Sequence, residues 1–161
     1  MAEDIKIAED IKTAEIKVRS IIKQALDEEK YQYQEPKLEE DYALKFSEKK
    51  DGYDNSWSLW VQPRIRKDAA RLILRFRLDK ICCEIMQVGA INNELNVINQ
   101  KIFMGNFYLE ENLQIYFKIS ADFTFLELNV ATMARWIALG NSSVSEYYDK
   151  LKSLAQRQNN D

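Results

Sequence analysis

Three groups of residues in this chain have the types and spacing to do chemistry. The first is the pair Cys82-Cys83, the only two cysteines, which become nucleophiles or soft metal ligands as thiolates. On a strand, adjacent side chains point to opposite faces, so the pair reads as reduced, partly buried thiols of an intracellular chain and not as a bridge. The second group is acidic. Asp27-Glu28-Glu29, Glu39-Glu40-Asp41 and Glu110-Glu111 crowd carboxylates as general acid–base chemistry requires. Each run falls in a turn or on a charged face, where a solvated surface accounts for it. The third group is basic and aromatic. Arg71, Arg75 and Arg77 share one side of a predicted strand, with Arg64, Arg66 and Lys67 just upstream. Trp60, Tyr116 and Lys118 join them, register permitting. Arginines beside aromatic rings on an open sheet can stack single-stranded RNA. The same residues also suit cross-strand cation–π contacts and ion pairing with Glu84.

Absent residue types narrow the function further. The chain has no histidine, so the commonest general base and metal ligand are both missing. It has no glycine-rich phosphate loop and no metal-ligand spacing. The expectation is a protein without catalysis, metal or cofactor. A net charge of −3, from 23 basic and 26 acidic side chains, argues against a general nucleic-acid binder. The start, MAEDIKIAEDIKTAE, is acidic and lacks the apolar core of a secretory signal. No window approaches the ~18 apolar residues of a membrane span. These features predict a soluble, cytoplasmic protein.

The elements that must position these groups follow from periodicity. Hydrophobic content of 46% over 161 residues supplies one core without disulfides and predicts a single domain, 1–161. Its parts are an N-terminal helix over 1–30, a linker over 31–41, an α+β core over 42–155 and a frayed tail over 156–161. Ile7, Ile11, Ala14, Val18, Ile21 and Ala25 lay one apolar stripe along the first helix, with Glu15 set to pair Arg19. Strands are predicted over 42–48 and 56–61, joined by a turn at Lys49-Lys50-Asp51-Gly52. Trp57 and Trp60 then point to opposite faces. Residues 71–78 alternate Leu72, Leu74, Phe76 and Leu78 against Arg71, Ile73, Arg75 and Arg77. Asp79-Lys80 reads as a turn, with a partner strand over 80–88.

Ile91, Leu95, Ile98 and Ile102 mark a helix over 91–104, stopped by Gly105. Phe107 to Leu109 and Leu113 to Ile119 form another hairpin around Glu110-Glu111-Asn112. Capping boxes Thr124/Glu127 and Ser143/Glu146 predict two final helices separated at Gly140-Asn141. The order is α-β-β-β-β-α-β-β-α-α. It predicts an α+β fold with a twisted antiparallel sheet and helices packed mainly on one face.

The run LNVINQKIFMGNFYLEENLQIYFKISADFT, with Leu95, Asn96 and Asn99 in its helix, resembles the YbjN-like pattern of a helix followed by a hairpin and an apolar helix. The whole element order is similar to the fold of type III secretion chaperones and of the related YbjN-like proteins, described as sensory-transduction regulators. The resemblance implies binding and carries over no catalytic residue. Secretion chaperones of this fold are acidic homodimers that hold a client segment extended, with the helix matching 91–104 at the dimer interface. The first expectation is therefore a chaperone-like or regulatory factor that binds another protein, a client or a second copy. Its candidate interface residues are Trp57, Trp60, Val97, Phe103 and Met104. The alternative is an RNA- or small-ligand-binding regulator that uses Arg71, Arg75, Arg77, Tyr116 and Lys118.

Overall fold

The computed structural model describes residues 2–34, 36–37, 40–50, 53–65, 70–123 and 128–156. It is an α+β fold. Six antiparallel strands run in the order β1-β2-β3-β4-β6-β5. They are β1 (Tyr33–Gln34), β2 (Tyr42–Lys50), β3 (Tyr53–Ile65), β4 (Ala70–Cys82), β5 (Asn106–Leu109) and β6 (Gln114–Phe123). Three helices, α1 (Ala2–Glu28), α2 (Val88–Asn99) and α3 (Val130–Ala155), cover one face of the sheet. That face carries Leu44, Leu59, Val61, Leu72, Leu74, Phe76, Leu78, Ile115, Phe117 and Ile119, all buried. Burying each of these large side chains contributes roughly 1.5–3 kcal/mol.

Glutamate, lysine and alanine give α1 high helix propensity, and Glu15 meets Arg19 at 2.9 Å as the spacing requires. The apolar stripe is seated only in its second half, on Val18, Ile22, Ala25 and Leu26. Ile11, Ala14 and Ile21 are half-buried, and the side chains of Ile5 and Ile7 lie outside the described set. The helix ends with Lys30 at φ 56°; the Tyr31 amide donates to the Leu26 carbonyl and the Lys30 amide to that of Asp27. This left-handed cap folds the chain back, so Tyr31 meets the Phe46 ring edge-on at 5.5 Å. The segment expected as a linker therefore holds β1, which pairs Tyr33 with Leu44 and Gln34 with Ala43.

The β2–β3 hairpin is longer than alternation alone indicates, because backbone pairing continues through polar residues to Lys50 and Tyr53. Asp51 and Gly52 of its predicted turn lie outside the described residues. At the other end β3 outruns β2, whose last pair is Tyr42 with Val61. Pro63 sits beyond that pair and meets only β4, so its missing N–H interrupts no ladder with β2.

The predicted turn at Asp79-Lys80 and the strand over 80–88 are corrected by the structure. β4 continues to Cys82 through a bulge, with Lys80 at φ 64° and the register against β6 shifting between Arg77 and Cys82. β4 takes five steps from Arg77 to Cys82 where β6 takes two, an odd excess that lets Leu78 and Ile81 both face inward, which in sequence looks like a new strand. Beyond Cys83 the chain enters a 3₁₀ turn, Ile85–Gln87, where the Gln87 side chain accepts from the Glu84 amide at 3.0 Å.

Helix α2 begins earlier than predicted, with Gly89 inside it, and ends at Asn99. Gly105 is not its stop. At φ 88° it passes β6 so closely that a Cβ would lie 2.6 Å from the Phe117 ring. Gly140 does not break a helix either. α3 is continuous, opened by Asn129, whose side chain accepts from the Thr132 amide at 2.9 Å. A Cβ on Gly140 would stand 2.2 Å from the Phe76 ring, so glycine allows close approach of helix and sheet. The cap expected from Thr124 and Glu127 lies outside the described residues, and Ser143 and Glu146 sit within the helix. Of the predicted tail, only Gln156 is described.

Candidate functional site

The face of the sheet without helices is the first candidate. Alternation places Trp60, Arg71, Arg75, Arg77, Tyr116 and Lys118 on it together, as the sequence pattern indicates. Their partners are not the expected Glu84, which is exposed at the 3₁₀ turn. Arg71 donates two hydrogen bonds to Asp122, both at 2.8 Å. Arg75 reaches Glu110 at 2.5 Å, donates to the Tyr108 hydroxyl at 3.1 Å and lies 4.2 Å from the Tyr116 ring centre. Arg77 reaches Asp79 at 2.9 Å and lies 5.2 Å from the Trp60 ring centre. Upstream, Arg64 reaches Asp41 at 3.3 Å.

Burial works against the charge on Arg75, but Tyr108 and then Glu110 outweigh it and hold the guanidinium above its usual pKa. Burial raises the Tyr108 hydroxyl, and Arg75 opposes the rise. Tyr116, expected to be open, is buried beneath Arg75 and the stacked Tyr108 ring. As partners of the arginines, Tyr108, Asp79, Glu110 and Asp122 escaped the sequence reading, which set Asp79 and Glu110 in turns. Only the register of β4, β5 and β6 brings them to the arginines.

The second candidate is the corner where α2 leads into β5. Phe103 is 96% exposed and Val97 44%. Met104 is half-buried against the core. Phe103 and Met104 border a cleft of about 150 Å³ with Leu139 and Tyr147 of α3, and Lys101 and Glu146 carry charge at its margin. Trp57 does not join this surface. It is buried, and its indole N–H donates to the Asn141 side chain at 2.9 Å. Trp60 is the half-exposed one of the pair, on the open sheet face. Ile85 and Met86, each 79% exposed, were missed because their segment was read as a strand.

Asn99 has a structural task at this corner. Its side chain donates to the Phe107 carbonyl at 2.8 Å and accepts from the Phe107 amide at 2.7 Å. One amide thus stands in for a strand partner and ties α2 to β5.

The remaining reactive groups are dispersed. Cys82 is an exposed thiol and Cys83 a buried one, on opposite faces. Burial, and next the neighbouring Cys82, push the Cys83 thiol up to about 11, away from thiolate chemistry at neutral pH. Among the described residues no group of three or more cysteines and carboxylates is placed to hold a metal ion. No helix among them is long and apolar enough to cross a membrane.

A family model described as "Putative bacterial sensory transduction regulator" matches residues 19–153. No curated protein matches the chain. An uncharacterized protein from Methanothermobacter thermautotrophicus has a similar crystal structure, at a TM-score of 0.51 and 12% identity, covering 85% of this chain and 98% of that one. The crystal structure of YbjN from E. coli, described as "a putative transcription regulator", gives a TM-score of 0.49 at 12% identity over 80% of this chain and 89% of that one. At such identity the first likeness speaks for fold alone.

Proposed function

Because the chain belongs to the YbjN family, described in terms of regulation and not of catalysis, we propose that it is a cytoplasmic, non-catalytic regulatory factor that binds another protein chain at the α2–β5 corner. The observation that carries this reading is Phe103. A phenylalanine left 96% exposed forgoes roughly 1.5–3 kcal/mol that a covering surface would return. It borders the same cleft as Met104 and Leu139, and large aromatic side chains of this kind anchor protein interfaces. The two free cysteines suit a reducing compartment.

A second copy is the first partner to examine. Lys101 and Glu146 line the same cleft, so a two-fold contact there can set each against its opposite charge in the other copy. Light scattering across a concentration series tests this, with Phe103→Asp beside the native chain. A dimer mass that falls to a monomer in Phe103→Asp supports self-association. If both chains are monomeric, a tagged pull-down should retain one stoichiometric protein that Phe103→Asp releases. Equal retention by both would remove the corner from consideration.

The RNA reading of the sheet face draws less support. Arg64, Arg71, Arg75 and Arg77 are each met by a carboxylate and offer phosphate little unspent charge.

A further inference from the structure

The open sheet face is not level. Toward the Lys80 bulge, β2 and β3 present Ser47, Ser56 and Ser58, where Trp60, Gln62 and Arg64 stand further along. Ser47 lies opposite Ser56, and Ser58 opposite Lys45, so short hydroxyl side chains form a floor. Two adjoining hollows of about 610 and 410 Å³ open over it, with Lys45 and Arg77 bordering both. The smaller extends to the place where Ala43 pairs with Trp60, and a methyl group there leaves room beside the indole. The larger reaches Asp79, Lys80 and Gln114.

Charge is unevenly spread in the same direction. Lys45, Arg77 and Lys80 border the hollows against one carboxylate, Asp79, a local balance of 3 − 1 = +2 in a chain of net charge −3. Asp79 is already engaged by the Ser58 hydroxyl and the Arg77 Nε, both at 2.9 Å. Neither Lys45 nor Lys80 meets a carboxylate among the described residues. Arg77 is held between Asp79 and the Trp60 ring, so its guanidinium is fixed before any ligand arrives. The bulge sets Lys80 out of the ordinary strand pleat.

We propose that this hollow binds a small anion of the mononucleotide class, a planar ring joined through hydroxyl-bearing atoms to a phosphate. The ring lies beside Trp60 above Ala43, the phosphate meets Lys45 and Lys80 beside the Asp79-paired Arg77, and Ser47 in the floor takes a hydroxyl. Each part of the ligand answers a feature already present: base–aromatic stacking, charge-assisted hydrogen bonding to phosphate, and neutral hydroxyl pairing. The volumes fall in the few-hundred-Å³ range of small-molecule sites. The site lies on the face away from the helices, so it stands or falls independently of the α2–β5 corner.

Adenosine 5′-monophosphate titrated into the full chain, read by calorimetry and tryptophan fluorescence, tests the proposal. Adenosine, inorganic phosphate and single-stranded oligoadenylate form separate arms. The expected result is binding of the monophosphate about tenfold or more tighter than adenosine or phosphate alone, weakening with salt. Lys45→Gln and Ala43→Phe, the second filling the hollow without changing charge, should each weaken it by about tenfold, and Phe103→Asp should not. Trp60→Leu serves in place of Ala43→Phe if that chain does not fold, as judged by circular dichroism. No binding at millimolar monophosphate would overturn the proposal. So would binding no tighter than phosphate alone, binding of the oligonucleotide only, or affinity unchanged in these variants.

Discussion

The two faces of β4 are built from alternate residues of one strand and obey different rules. Leu72, Leu74, Phe76 and Leu78 are fully buried under the helices. Their environment fixes volume to the atom, as Gly140 against Phe76 demonstrates. Arg71, Arg75 and Arg77 on the other face are held by ion pairs and ring contacts with water nearby, and such contacts stabilise little. Stability thus resides on one face, and the other can change its chemistry without unfolding the protein. The proposed ligand hollow lies on that second face.

The largest test of this contrast is Phe76→Ala. Removing a fully buried ring at the helix–sheet contact should cost about 3–5 kcal/mol in urea unfolding. It should also make Gly140→Ala, a steric intrusion on its own, nearly neutral in the double variant. Simple additivity of the two changes would break the argument.

The adjacent thiols repeat the contrast in two residues. The folded state holds Cys83 near 11 against an ordinary 9.0, so burial favours the neutral thiol. The stability associated with it is complete below pH 9 and is lost as pH rises from 9 toward 11, on the order of 2–3 kcal/mol in total. Buried Tyr148, raised mainly by desolvation, adds loss in the same direction. The difference between the native chain and Cys83→Ala across pH 8 to about 11 therefore isolates the thiol. In the native protein at pH 8, a thiol reagent should modify Cys82 alone, and reaction of both would contradict the burial.

Asn99→Ala is smaller, at about 1–2 kcal/mol, because it leaves one amide and one carbonyl of Phe107 to find water at a part-buried edge. Hydrogen exchange at Phe107 should quicken with it. Arg71→Gln is smallest. Both members of its ion pair are well exposed, and the urea midpoint should stay within error of the native chain. A clear drop would show that the open face carries more stability than this picture grants.

Much of this was legible in the sequence, and the misses share a physical cause. Period-two alternation located the inward face of β4 and the α2 stripe on Ile91, Leu95 and Ile98, because burial leaves a local signature. It also put the arginines, Trp60, Tyr116 and Lys118 on one face. Their carboxylate partners come from strand register and a bulge, which no local pattern records. Gly140 and Asp79-Lys80 look like breaks in sequence, yet each serves a neighbour distant in the chain, the Phe76 ring in one case and the β6 register in the other. Trp57 and Trp60 were correctly set on opposite faces, but only the packing of α3, through Asn141, decides which one is buried.

The bulge at Lys80 also gives this chain a place where its length can change. Leu78, Ile81 and Cys83 face inward although two residues separate the first pair and one the second. From Arg77 to Cys82 β4 takes five steps where β6 takes two from Tyr116 to Gln114, so three residues stand outside the ladder, and a change of length here should be taken up by that loop-out and not by the paired strand on either side.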